Sequence, residues 1–574
     1  MAKTNGQNGQ SAAPDNRCAA EDPSNKRVDP RTNRRGFLQT AGGAAIAASV
    51  TGLIPATTLT SVSANAQEIE PNVEIGPSVA KKRAKAALSI RTAAAQRERD
   101  LPIVSHPTNG DEELFPNKIG SFSKGLPHNN LGEVDVPAFN TLIHALTTGN
   151  AADFESITIG RGVKLTNPQS GIAFAMEGPD SHCLAQRAAP AFSSAEEAGE
   201  ITENYWMALA RDVPFTQYGS SSVIGRAAAD LSRLSDFRGP KSSGAVNVAN
   251  IFRGLTPGDL AGPYISQFLW KDTPFGVERV DRRMRTVVGG VDYLTGYGDW
   301  IAVQNGASTP GDAFDPTPRY ITNGRDLGQW VHIDVLFQAY FNAMLILFSI
   351  GAPRDAGNPY RTSRTQIAFS TLGDPHVASL IASVATPALK AVWYQKWFVH
   401  RRLRPEAFAG RVHNHVTHAA TYPIHSDVLN SSVLNELFTR NGSYLLPMAF
   451  PEGCPTHPAY GAGHATVAGA CVTILKAFFD ESFVIPNPVE ASADGSQLLP
   501  YTGAALTVGG ELNKLASNVA IGRNFAGVHW RSDATESLKL GEELAIRFLR
   551  EEKDCFNETA NLSVTKFDGT TITI

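Results

Sequence analysis

Apolar residues along this chain recur mostly at three- and four-residue spacing and seldom alternate, which predicts a mainly α protein. An Ala-rich, basic stretch from Ser78 to Arg99 reads as a helix. Ser194 is placed to cap a helix running to Ala210, with Glu197 completing a capping box. From Asp326 to Ile350, the residues Trp330, Ile333, Asp334, Phe337, Tyr340 and Phe341 share helical spacing, which predicts one long helix with Asp334 on an otherwise apolar face. Thr386-Pro387 reads as the cap and first turn of a helix that runs to about Leu403 and stops before Arg404-Pro405. Gly461 to Asp480 reads as another helix, and Ser532 is placed to cap a last one, where Ala534, Leu538, Gly541, Ala545 and Phe548 repeat. Residues 100–190, rich in Pro, Gly and Asn, read as loops with short helices. Asp568-Gly569 between β-prone residues predicts a C-terminal hairpin.

The first 66 residues follow different rules. A polar start leads to Arg34-Arg35-Gly36-Phe37-Leu38, then a short apolar run from Ala41 to Ile54, then the small-residue pattern Ala64-Asn65-Ala66. Residues 1–66 therefore read as a twin-arginine-type signal peptide, and the mature chain is expected in the periplasm or outside the cell. The apolar run is too short and glycine-rich for a membrane span, and none is expected. A formal charge of −4 on 574 residues gives no electrostatic basis for binding nucleic acid. Cys183, Cys454, Cys471 and Cys555 have no zinc-site spacing, and their pairing is left open. His413, His415 and His418 lack the spacing and partners of a zinc set and read as a polar loop.

Three distant stretches carry candidate chemistry. The first is Lys396–Pro405, KWFVHRRLRP, where Lys396 falls on an apolar helix face with Leu389, Val392, Trp393, His400 and Leu403, and Arg404 lies at the helix end. A lysine there either snorkels past the core or answers a buried anion. The second is His457–His464, HPAYGAGH, a Gly/Pro turn feeding a helix start, where backbone amides point outward toward an anion. His464 in that first turn suits proton transfer near neutral pH. The third is Gly522–Asp533, in which Arg523 and His529 flank a glycine turn, and Asp533 can hold one imidazole nitrogen so that the other stays free. Converged on one spot, Lys396, Arg404 and Arg523 require an anion, because an apolar interior does not tolerate three uncompensated charges.

The ordered set Lys-x7-Arg-Pro, Gly-His and Arg-x5-His-x3-Asp resembles that of the vanadium-dependent haloperoxidases, which share a site architecture with PAP2-type acid phosphatases. It is most similar to the algal bromoperoxidase branch, and the similarity extends to Gly262–Phe268 and Val331–Tyr340. The resemblance implies two helical bundles with a few short β-hairpins, residues 67–385 forming a scaffold half and 386–574 carrying most of the site. It implies one vanadate per subunit, with His529 as the vanadium ligand and Lys396, Arg404, Gly463 and Arg523 holding the oxygens. His464 would be the acid–base, Asp334 would orient the cluster, and His457 would favour bromide and iodide over chloride. Hydrogen peroxide, halide and an organic small molecule are the implied partners, with a homo-oligomer as the assembly and calcium as a further ion whose ligands are not assigned. Ala462 replaces the serine that the family usually has before Gly-His, and Gly522 stands where the wider superfamily pattern has a serine before the arginine. The alternatives are a PAP2-type phosphatase, with His529 taking a phosphoryl group, and an oxyanion-binding protein without turnover.

Overall fold

The computed structural model describes residues 77–574, so the signal-peptide reading of residues 1–66 lies outside the described residues. Helix α1 is Pro77–Asp100. Helix α2, Val136–Thr148, is capped by the Asp135 carboxylate. Helix α3, Ala195–Ala210, is capped by the Ser194 hydroxyl, which accepts from the Glu197 amide. The reciprocal half of the expected capping box does not form, because Glu197 turns inward to Arg402.

The predicted helix from Asp326 to Ile350 is two helices, α4 (Gly324–Trp330) and α5 (Gln338–Ser349). Residues 331–337 between them are irregular, with Ile333 and Val335 exposed. Helix α6 begins at Asp374, thirteen residues before Pro387, where its first turn was expected, and runs to Tyr394 with that proline inside it. Pro387 lacks an N–H, and the carbonyl it would have bound belongs to Ser383 on an exposed face, so water can satisfy that group. The boundary expected near residue 385 falls inside this helix. By length and composition the continuous stretch Asp374–His400 could cross a membrane, but its apolar face belongs to the core.

The chain then passes through a π turn, Gln395–His400, into α7 (Pro405–Val416). Helices α8 (Gly463–Phe478), α9 (Val508–Phe525) and α10 (Arg531–Asp554) complete the bundle around the site. Helix α8 packs along α6, α9 and α10, and α4 packs on α9. The α8–α10 crossing is backbone to backbone: a Cβ added at Gly469 would lie 2.1 Å from the Leu538 carbonyl oxygen, and one at Gly541 would lie 1.9 Å from that of Thr466. Three two-stranded antiparallel hairpins lie among the described residues: β1–β2 (Thr273–Phe275, Glu278–Val280), β3–β4 (Val489–Ala491, Leu498–Pro500) and β5–β6 (Ser563–Thr565, Thr571–Thr573). The last is the predicted C-terminal hairpin, with Gly569 at φ 85° in its turn.

Candidate active site

The predicted residues reach the site from the ends of helices or from the irregular segments beside them, where the backbone is free to redirect a side chain. Lys396 sits in the π turn, which is closed by a bond from the Arg401 amide to the Lys396 carbonyl (3.0 Å). Arg401 has a left-handed backbone (φ 40°), which turns the chain so that Arg404 directly precedes α7. The loop before α8 supplies His457, and the first turn of α8 supplies Gly463 and His464. Arg523 lies in the last turn of α9. Gly527, at φ 83°, then reverses the chain and places His529 just ahead of α10.

These side chains surround one buried chamber. Lys396 is fully buried, and its Nζ donates to the carbonyls of Pro458 (2.8 Å) and Ala459 (3.1 Å). Arg404 donates to the carbonyls of His457 (2.9 Å) and Val528 (2.6 Å), to His529 Nε2 (3.1 Å) and to His457 Nδ1 (2.9 Å). Arg523 donates to the Val331 carbonyl (2.8 Å), and its buried Nε has no partner. Among the described residues, the partners of these three cations are carbonyls and imidazoles, never carboxylates. Burial, followed by their mutual repulsion, holds Lys396 well below its ordinary value and Arg523 down to about 10; burial lowers Arg404 as well.

The tautomers follow from the donors. A guanidinium only donates, so His529 Nε2 and His457 Nδ1 are both acceptors. The proton of His529 therefore sits on Nδ1 and is donated to Asp533 Oδ2 (2.7 Å). Burial and the neighbouring cations hold both imidazoles neutral, far below the usual histidine range. Asp533 also accepts from the Trp530 amide (3.1 Å), so it caps α10, the role expected of Ser532. His464 is part-exposed, and its Nε2 lies 2.9 Å from Asp334 Oδ1. Asp334 thus meets the site from the irregular segment after α4, and its negative charge is felt by Arg523. Trp393 walls the chamber, its ring 4.8 Å from that of His457 and 5.6 Å from Lys396 Nζ. A Cβ at Gly463 would press on that ring at 3.0 Å, which accounts for glycine there. At Gly522 a Cβ would lie 3.0 to 3.1 Å from Val331 and Leu327, so glycine keeps α4 tight against α9. Ala462 is buried, and its amide donates to Ser537 Oγ (2.8 Å).

The sequence reasoning missed Arg402. Buried, it donates to Asp533 Oδ1 (2.9 Å), Ser532 Oγ (2.8 Å), Glu200 (2.9 Å) and Glu197. Through Asp533 it sets the position of His529. Its closeness to Arg404 was visible, but two of its carboxylate partners, Glu197 and Glu200, lie some 200 residues away on α3.

A tetrahedral oxyanion fits this donor set. Three buried cations lack a counter-charge, one has a free N–H, and a neutral imidazole nitrogen and the amides of a helix start lie beside them. Comparisons with known proteins point the same way. Residues 377–558 match the second helical-bundle domain of the VCPO family model. The vanadium-dependent bromoperoxidase of Corallina pilulifera is 36% identical, over 86% of this chain and 98% of that protein. The one from Ascophyllum nodosum is 34% identical, over 85% of this chain and 91% of that protein. The homohexameric second vanadate-dependent bromoperoxidase of A. nodosum superposes with a TM-score of 0.83 at 32% identity, covering 91% of this chain and 94% of that one. With a likeness that spans nearly the whole of both partners, and with its buried cations and imidazoles gathered at one place, this chain belongs to the vanadium-dependent bromoperoxidase family.

Proposed function

We propose that this protein binds vanadate in the chamber and uses hydrogen peroxide to oxidise bromide or iodide to hypohalous acid, which halogenates electron-rich organic molecules. The observation that carries the reading is the trio Lys396, Arg404 and Arg523, buried together without a carboxylate partner. In this reading His529 ligates vanadium through Nε2, the nitrogen left as an acceptor because Nδ1–H is committed to Asp533. The three cations and the Gly463 amide hold the vanadate oxygens. Vanadate, when bound, supplies a Lewis-acidic centre that activates hydrogen peroxide toward halide without a change of oxidation state.

The chain's own work is electrostatic and protonic. The overall reaction reduces peroxide to water, oxidises bromide to hypobromous acid and consumes one proton. His464 is the group placed to move that proton: its Nε2 lies 2.9 Å from the Asp334 carboxylate, and its exposed edge reaches solvent. His457, kept neutral by burial and then by Lys396 and Arg404, stands with Trp393 against the chamber and is assigned to halide selection. One vanadate per chain, a homo-oligomeric assembly and export through the twin-arginine N-terminus belong to the same proposal. N-terminal sequencing of the secreted protein tests the last point, with a start after Ala66 expected.

The deciding assay supplies the purified protein with orthovanadate, hydrogen peroxide and bromide, beside a phosphate ester. Vanadate-dependent bromination is expected. Ester hydrolysis without vanadate would establish a phosphatase instead, and tight anion binding with neither activity would establish a binding protein. His529→Ala should abolish vanadate retention, and undiminished bromination in that variant would overturn the ligand assignment.

A further inference from the structure

The irregular segment between α4 and α5 touches the chamber twice within four residues. The Val331 carbonyl receives Arg523 Nη1, and Asp334 pairs with His464. Between these two contacts, His332 stacks on Phe450 with ring centroids 3.6 Å apart and planes 11° from parallel. The Arg523 guanidinium lies 5.8 Å from the centroid of that same ring. Both His332 nitrogens face carboxylates: Nε2 is 2.7 Å from Glu452 Oε1, and Nδ1 is 3.4 Å from Asp312 Oδ2. Glu452 belongs to the loop that leads to His457, and its backbone carbonyl is bound by Lys124 Nζ (2.6 Å).

We infer that His332 is a positioning residue of the anion chamber, a latch that ties residues 331–334 to the loop 450–457. The inference rests on the vanadate reading of the chamber. Among the described residues the Arg523 side chain has two supports, the Val331 carbonyl and the face of Phe450, and His332 is bonded to the first through the peptide and stacked on the second. Removing the imidazole frees both supports together and releases the segment that carries Asp334. The expected consequence is a loosened Arg523 and a His464 without a fixed carboxylate, in a chamber that remains folded because α4, α9 and their core contacts are untouched.

Equilibrium dialysis of orthovanadate against the full-length, cofactor-free protein, run beside thermal unfolding, tests this. His332→Ala should weaken vanadate binding by about 10-fold, the low end for groups that orient a metal site's ligands, with little change in the unfolding midpoint. His332→Phe, which keeps the stack and loses the carboxylate contacts, should fall between the parent and His332→Ala. Glu452→Gln, at a half-exposed position, should weaken binding in the same direction and by less. Parental affinity in His332→Ala overturns the inference, as does an affinity loss that merely tracks a falling midpoint in all three variants. A parent that retains no vanadate refutes the chamber reading itself, which is a different result.

Discussion

Arg402 and Arg404 stand two residues apart, both fully buried, and live in opposite electrostatic worlds. Arg402 is met by Glu197, Glu200 and Asp533, and these carboxylates drive its pKa upward against the cost of burial. Among the described residues Arg404 donates to carbonyls and imidazoles alone, and burial drives its pKa down. The first cluster is complete as the chain folds, whereas the second is short of negative charge. A buried guanidinium whose counter-ion the fold withholds marks a place where a ligand supplies it. Asp533 joins the two clusters, with one oxygen on Arg402 and the other on His529, so the saturated region holds the unsaturated one in register.

The largest expected effect comes from breaking the saturated side. Arg402→Met leaves three buried carboxylates facing one another and should cost about 3–5 kcal/mol of stability, read by chemical denaturation. The mirror-image change has the opposite sign. Lys396→Met removes an uncompensated charge and should stabilise the vanadate-free protein by about 1–3 kcal/mol, while abolishing the rise in unfolding temperature that vanadate gives the parent.

A pH titration of stability separates the regions next. His529 and His457 have folded pKa values well below 6.5, so above that pH they exact no penalty. As pH falls below about 6.5 the unfolded chain takes up protons that the folded chain refuses, and stability drops by up to about 1.4 kcal/mol per pH unit for each imidazole. Glu197 and Glu200 have raised folded values, so they stabilise below about 4.5 and lose that contribution as pH rises through their folded pKa. The vanadate-free Glu197→Gln variant should therefore climb more steeply from pH 5 to 7 than the parent, as followed by thermal melts. The smallest effect belongs to Ala462→Ser, which offers the chamber one more hydroxyl and should change vanadate affinity by about 1 kcal/mol or less, measured by dialysis.

Sequence spacing exposed the anion-seeking half of this comparison and hid the other. Lys396, Arg404, Gly463, His464, Arg523 and His529 lie at helix ends announced by Pro and Gly, so local pattern was enough to pick them out. Two of Arg402's carboxylate partners lie on α3, where Glu197 also fits a capping box, and no local signal distinguishes the two uses. The gap between α4 and α5 was invisible for a related reason. Val331-His332-Ile333-Asp334 contains no helix breaker, and the break accompanies long-range contacts from Arg523, Phe450 and His464. At Thr386-Pro387 the local rule for a helix start was overridden by α6, which continues through the proline with its exposed face turned to water.

The wide turn at Gln395–His400 sets an angular phase. An α-helix advances about 100° per residue and a turn closed by i→i+5 bonds advances less, so winding these same six residues regularly, with none deleted, would rotate everything after them relative to everything before. Lys396 and Arg404 flank most of that stretch, and their convergence depends on how many residues separate them as much as on what those residues are.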